Sequence, residues 1–349
     1  MKKLSWFNKV MFFFNIVLTV LTFLAYFLPF LAPKLFPFLS VFTLVLPMML
    51  VLNFLFFLYW LVQVKLQMLL SGLVLLLGVT FISKFYKFSG VTLEAENADF
   101  TLMSYNVRLF NLYDWMPRKD VPDSIAAFVK QHRPDILCFQ EYTPREDVDF
   151  GQYRHKYIYA NEHNNAKLGQ AIFSKFPIIN SGNIPFPKSD NNVIFADIKK
   201  GKDTLRVYSM HLQSIKISPD IHEKIDEEKS KVIFKRLSSA FKEQQHQAEL
   251  FQQHKSECKY PMIICGDLNN SAFSYVYRSV KGKMKDAFEE AGKGFGKSYN
   301  YKYYPARIDY VLTDKNIVVK EYKTFQNFIF SDHYPVMTRL KYEREEAEN

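Results

Sequence analysis

From Val10 to Ser83 the chain is a run of apolar side chains cut by lysines into three uncharged segments, residues 10–33, 35–64 and 66–83. Each is of a length that can cross a hydrocarbon core, for which roughly 17–25 residues serve. The pattern predicts three transmembrane helices. The third, LQMLLSGLVLLLGVTFIS, is short enough to be a buried or re-entrant helix instead. Asn15, Pro29, Pro47 and Asn53 fall inside these segments, where neighbouring helices can satisfy the polar groups.

From about Thr92 the pattern changes to short runs rich in Val, Ile, Phe and Tyr. FTLMSYNV, DILCFQE, QAIFSKFPI, NVIFADI, TLRVYSMHL, PMIICGDLN, RIDYVLT and YPVMTRL read as strands. PDSIAAFVKQH reads as a helix between the first two, and the polar stretch over 221–256 as two more. His222, His246 and His254 lie on that stretch as solvated or packed histidines, because no Cys/His zinc spacing accompanies them. Strands interleaved with helices predict an α/β or α+β fold. The chain divides into a membrane unit over 1–87, a soluble unit over 92–342 and a polar tail over 343–349.

Charge refines this picture. The formal net charge is +10, yet seven lysines and no acidic residue lie in residues 1–87, which leaves +3 for the remainder. That residue of charge is an ordinary soluble surface, and the juxtamembrane lysines suit anionic lipid head groups. Lys2, Lys3 and Lys9 precede the first segment and place the N-terminus in the cytoplasm by the positive-inside bias. An odd number of spans then puts the soluble unit outside, although Lys84 and Lys87 pull the other way. A cleaved signal peptide would account for the first segment alone, and no small-residue cleavage site follows AYFLPFLAPK. Scattered Asn, Gln, Ser and Thr over three spans are too few for a transport pathway. The three cysteines, Cys138, Cys258 and Cys265, do not make a disulfide framework; Cys138 and Cys265 lie in apolar runs and read as buried thiols.

Candidate chemistry lies where apolar strands stop on a polar residue, because such a residue is delivered to the rim of a sheet. Asn106 ends LMSYN, Glu141 ends ILCFQE, His211 ends VYSMH, and Asp267 with Asn269 ends MIICGDLN. Asp309 interrupts RIDYVL, and Asp332 with His333 opens SDHYPVM. Carboxylate and amide oxygens suit a hard cation such as Mg²⁺, and imidazoles beside them can transfer protons or stabilise charge near neutral pH. No GxSxG, Cys-His nucleophile or P-loop is present. Metal-assisted attack of water on a phosphate ester is the remaining reaction class.

SYNV, QE, HL, GDLN, RIDY and SDHYPV stand in the order and spacing of the endonuclease/exonuclease/phosphatase superfamily, which the chain resembles over about residues 98–342. GDLNNSAFSYVYR behind a hydrophobic block most resembles its bacterial membrane-tethered branch. The resemblance implies two packed, mainly antiparallel sheets flanked by helices, with the site at one end. It implies that Glu141 binds the metal beside Asn106, with Asp332 a further ligand of the metal or its water. Asp267 would orient or deprotonate the attacking water, Asn269 contact the phosphate and His211 donate to a phosphoryl oxygen. Asp309 would pair with His333, whose imidazole stabilises developing charge. Mg²⁺ is the implied cofactor and Mn²⁺ the alternative. An integral protein of a bacterial inner membrane with an extracytoplasmic catalytic unit follows, with membrane lipid around it and no protein partner in view.

Two substrate classes fit. A phospholipid or lipid-linked phosphate gains from tethering, since enzyme and substrate then share two dimensions. Nucleic acid would need a basic face. Lys281, Lys283, Lys285, Lys293, Lys297, Lys302 and Arg307, interleaved with Tyr299, Tyr301, Tyr303 and Tyr304, are its candidates. A non-catalytic binding protein of the same fold is the third reading, against which every motif position keeps its expected residue type.

Overall fold

The computed structural model describes residues 4–145, 147–163, 166–215, 227–302 and 304–344, so His222, Tyr303 and most of the C-terminal tail lie outside the described residues. The apolar block forms α1 (Trp6–Ala25), α2 (Pro37–Val41), α3 (Leu46–Val62), α4 (Met68–Leu77) and α5 (Val79–Phe85). The first apolar helix, running from Trp6 to Phe30, is long and apolar enough by itself to cross a membrane. The other two segments qualify as pairs: Pro37–Leu44 bent by 50° against α3, and α4 bent by 70° against α5. The second bend falls at Gly78. A Cβ there would lie 2.1 Å from the hydroxyl of Tyr26, which fills the corner and donates to Val74 O at 2.8 Å.

Polar residues within the block are bonded to one another, as apolar surroundings require. Trp60 Nε1 donates to Asn15 Oδ1 at 2.9 Å, Asn15 to Ser71 Oγ at 2.6 Å and Asn53 to Thr22 Oγ1 at 2.7 Å.

The second part is an α/β sandwich. Its strands are β1 (Phe100–Asn106), β2 (Ile136–Tyr142), β3 (His155–His163), β4 (Ala166–Ser174), β5 (Ile178–Pro185) and β6 (Asn192–Lys200). β7 (Asp203–His211), β8 (Met262–Asp267), β9 (Lys285–Asp286), β10 (Asp309–Thr313), β11 (Ile317–Thr324) and β12 (Val336–Tyr342) follow. The helices are α6 (Val121–His132), α7 (Glu227–Ser256), α8 (Tyr275–Lys281) and α9 (Ala287–Ala291). One sheet runs β11-β12-β1-β2-β4-β3 and the other β5-β6-β7-β8-β10-β9. Every pairing is antiparallel except β1 with β2 and β7 with β8, which are parallel and lie at the centres of their sheets.

Between the sheets lies a core that includes Leu102, Ile136, Cys138, Ile194, Val207, Cys265 and Val311. The polar stretch expected as two helices is, over its described residues, one continuous α7 of 30 residues. It contains neither Gly nor Pro, so nothing in its backbone chemistry interrupts it. Four strands, β3, β5, β9 and β11, are additional to those expected, and QAIFSKFPI, expected as one strand, ends as β4 at Ser174 with β5 starting at Ile178.

Candidate active site

Parallel strand pairs point their carboxyl ends the same way, which gathers the residues that follow them. β1 and β2 carry Asn106 and Glu141 to one end of the sandwich, and β7 and β8 carry His211 and Asp267 to the facing position, with His211 and Asp267 in register. Asp309 opens β10 opposite Asp267. Glu141 sits in a bulge between the Phe139–Ala171 and Tyr142–Gly169 pairs with a left-handed φ of 47°, and the bulge turns its carboxylate inward. Gly266 has φ 125°, and a Cβ there would meet Met210 O at 2.1 Å, so glycine allows β8 to lie close enough to β7 for Asp267 to face His211.

Asp267 Oδ2 is the focus of the cleft. It accepts from Asn106 Nδ2 at 3.2 Å and from Asn269 Nδ2 at 3.1 Å, while the Nε2 atoms of His333 and His211 lie 3.6 and 3.8 Å away. Asn106 Nδ2 is also 3.2 Å from Glu141 Oε1, which is 3.6 Å from His211 Nε2. The Asp309 carboxylate accepts from His333 Nδ1 at 2.9 Å. Asp332 lies beside this group, 3.4 Å from Arg108 Nε, and Ser331 Oγ donates to Asn106 O at 2.8 Å. All eight expected residues thus line one cleft.

Burial drives the electrostatics. It pushes the Asp267 carboxyl up to about 8, against the opposing pull of His333. It also raises Glu141, helped by Asp332, although 31% of that side chain reaches solvent at the mouth. His211 is pushed down to about 3 by burial and by the charge of His333, so it is neutral at pH 7. Burial alone would lower His333 too, but Asp309 and Asp267 hold it well above the usual histidine range.

The donor set fits a divalent cation. The Glu141, Asp267 and Asp332 carboxyl groups crowd one buried site and oppose one another's ionisation, with His211 Nε2 buried beside them without a hydrogen-bond partner, an arrangement that a positive charge would relieve. Asp267, Asp309 and His333 also bring one ligand atom each within 4.8 Å of one another. Because Asp309 already accepts from His333 Nδ1, this trio reads better as an oriented acid–imidazole pair beside the cation. The carboxylates of Glu141 and Asp332, with the Asn106 amide beside Glu141, are the natural cage wall.

The family model described as endonuclease/exonuclease/phosphatase family matches residues 103–333, well over half of the chain. The chain belongs to the endonuclease/exonuclease/phosphatase family. Its activity class is accordingly metal-dependent hydrolysis of phosphoric esters. A second model, described as a domain of unknown function (DUF8431), matches residues 8–85. No curated protein matches the chain. Among solved structures, a family member from Bacteroides vulgatus shares 18% identity at a TM-score of 0.53, over 70% of this chain and 99% of that one. The human nocturnin catalytic domain with bound sulfate shares 19% at 0.52, over 72% and 96%. Zebrafish (D. rerio) TDP2 complexed with a single-strand DNA product shares 16% at 0.51, over 70% and 100%. At such identities these neighbours show a common fold.

Several residues of this family site escape a reading of strand ends. Arg108 through Asn111 are four consecutive left-handed residues, a strained run that turns Arg108 toward Asp332 and lays its guanidinium 4.7 Å from the Trp115 ring. Tyr299 packs its ring 4.9 Å from the His333 ring. Gln244 of α7 is fully buried; it donates to Gln213 O at 2.7 Å and Asn269 O at 3.1 Å and accepts from Asn270 Nδ2 at 2.7 Å. A glutamine within KEQQHQ carries no signal of that role, whereas the proximity of Arg108 to Asn106 in SYNVR is a signal that could have been used.

Proposed function

We propose that the protein is a membrane-anchored, Mg²⁺-dependent phosphoesterase that cleaves a phosphodiester or phosphomonoester on a phospholipid or lipid-linked phosphate. The observation that carries this is the convergence of two imidazoles and two amides, drawn from both sheets, on Asp267 Oδ2, with the Glu141 carboxylate bonded to the same Asn106 amide. Asn106, Glu141 and Asp332 would hold Mg²⁺, with Mn²⁺ also suited to these oxygens. When bound, the ion supplies Lewis-acid stabilisation of charge developing on the phosphoryl oxygens.

The chain's own residues do the rest. Asp267, ionised once a cation joins the His333 imidazolium facing it, would orient the attacking water and take its proton. His211, neutral and with Nε2 unpaired, donates to a phosphoryl oxygen. His333, kept cationic by Asp309, faces the developing negative charge. Asn269 donates both to Leu212 O at 3.0 Å and to Asp267, so we assign it to orienting Asp267 rather than to the direct phosphate contact that the resemblance implies.

A lipid substrate is supported by how close the site lies to the apolar block. Phe273, four residues beyond Asn269, is buried among Ala25, Tyr26, Leu46, Leu50 and Val74. Four residues span at most about 14 Å. The N-terminal lysines support a cytoplasmic N-terminus and an extracytoplasmic catalytic unit in a bacterial inner membrane.

The expected basic face of a nuclease is broken up: Arg307 is buried against Asp286 at 2.8 Å, Tyr304 stacks on Phe85, and Lys283 lines a cavity with Lys255 and Lys259. The nuclease reading keeps one favourable feature, the half-exposed Tyr113 and Trp115 beside Arg108, on which a base could stack. Hydrolysis by the detergent-solubilised full chain with Mg²⁺ decides between these. Phospholipid vesicles should be turned over faster than single-stranded or plasmid DNA, and Asp267→Ala and His333→Ala should each abolish turnover. Faster DNA cleavage that falls steeply with salt would establish the nuclease, and full activity in both variants would refute a phosphoesterase.

A further inference from the structure

The loops that carry the candidate catalytic residues rest on α5. Phe273 stacks on Phe81 at 6.3 Å between ring centroids and lies 6.5 Å from the Phe85 ring. Phe85 also meets Phe295 at 5.1 Å and Tyr304 at 6.0 Å. These three partners flank the site. Phe273 closes the loop that begins with Asn269, while Phe295 and Tyr304 bracket Tyr299, the ring packed on His333. In the last turn of the same helix the Lys84 carbonyl accepts from Arg307, two residues before Asp309, at 3.2 Å. Tyr310 then ties the two loops together by donating to both Asn270 O and Arg307 O at 2.9 and 2.8 Å.

α5 in turn is set by the membrane helices. Its 70° bend from α4 is occupied by Tyr26, the residue just beyond α1, whose ring stacks on Phe81 at 4.9 Å. A contiguous packed path therefore runs from α1 through Tyr26, Phe81 and Phe85 to the loops that bear Asn269, Tyr299 and Asp309.

We infer that Phe85 is a positioning residue for hydrolysis, and that the apolar block forms the floor of the active site and does more than tether it. An isolated sandwich would lose the surface that fixes Asn269 and Asp309 relative to each other. The aromatic hub acts through packing, so its removal should affect turnover more than substrate binding.

The test uses the full chain in detergent micelles or nanodiscs, with bis(4-nitrophenyl) phosphate as a water-soluble substrate, so that access to lipid plays no part. This activity arm rests on the phosphoesterase reading. Phe85→Ala should lower kcat about tenfold with KM within about twofold of wild type, and Phe85→Leu, which refills the hub, should restore kcat to within about threefold. Unchanged kcat in Phe85→Ala overturns the inference. Hydrogen exchange supplies an arm independent of activity. In Phe85→Ala the amides of 268–274 and 295–309 should exchange faster while those of β6 and β7 stay as in wild type. Unaltered loop exchange, or a uniform rise over the whole sandwich, overturns it. Should the wild type hydrolyse nothing, the phosphoesterase reading fails and the exchange arm still decides this one.

Discussion

His333 Nδ1 lies 2.9 Å from Asp309 Oδ2, and the opposite ring nitrogen lies 3.6 Å from Asp267 Oδ2. A cationic imidazole thus bridges a carboxylate behind it and a carboxylate in front of it. Removing the rear partner leaves the ring buried, unoriented and short of a countercharge. Asp309→Ala should lower kcat by about 10²–10⁴-fold, the range typical of a lost acid–base partner. Steady-state hydrolysis of a soluble diester at saturating Mg²⁺ measures it.

A divalent cation that binds the folded site and not the unfolded chain stabilises the fold by mass action, about 2.7 kcal/mol at a hundredfold excess over Kd. Mg²⁺ should raise the melting temperature of the wild type and EDTA should reverse the rise. Glu141→Gln should lose most of this response, because it removes a carboxylate from the cage wall. Differential scanning fluorimetry with a Mg²⁺ titration reads both.

Gln244 satisfies three groups of the site's supporting loops at once. Gln244→Leu strands Gln213 O, Asn269 O and the Asn270 amide, at roughly 1–3 kcal/mol for each buried group left unpaired. The variant should melt at a lower temperature and turn over more slowly. Gln244→Glu, which keeps the acceptor for Asn270 but sets an acceptor-only carboxylate oxygen against the Gln213 and Asn269 carbonyls, should also melt and turn over below wild type. Melting curves and kcat measured together check both variants.

Glu96 is bonded to Lys320 and, at 2.7 Å, to Lys341. Those bonds, chiefly the one to Lys320, hold its carboxyl down to about 2 from an ordinary 4.5. A depressed folded-state value means that the ionised form contributes stability above pH 4.5 and loses it as pH falls toward 2. Glu96→Gln should therefore melt below wild type at pH 7, by the modest margin of a carboxylate that is itself half exposed beside the buried Lys320. The gap should close between pH 4.5 and 2, as thermal melts across that window would show.

The site was legible because chemistry and burial coincide: Asn106, Glu141, His211 and Asp267 end runs whose other members fill the core. β3, β5, β9 and β11 were not: HKYIYANEH and IVVKEYKT mix polar and apolar residues without a two-residue period on the outermost strands of their sheet, IINSGNIP carries Asn, Gly and Pro, and β9 is two residues long. α7 looked like a solvated surface because its Gln and His content is high, yet Gln244, Gln245 and Gln247 are buried. They bond to backbone groups of loops distant in sequence and to Asn270, and no periodicity encodes that. The left-handed run from Arg108 to Asn111 is equally silent, as none of the four is glycine.

Asn106 belongs to one sheet and Asp267 to the other, and their sheets meet through side-chain packing with Cys138 and Cys265 in the shared core. The spacing of the two halves of the cleft is thus a gauge of the thickness of the sandwich. A methyl group added at Cys138 or Cys265 would register first as a lateral misfit between the reacting halves, before any strand melted. Drift in the interior of such a protein is constrained by chemistry performed at its rim.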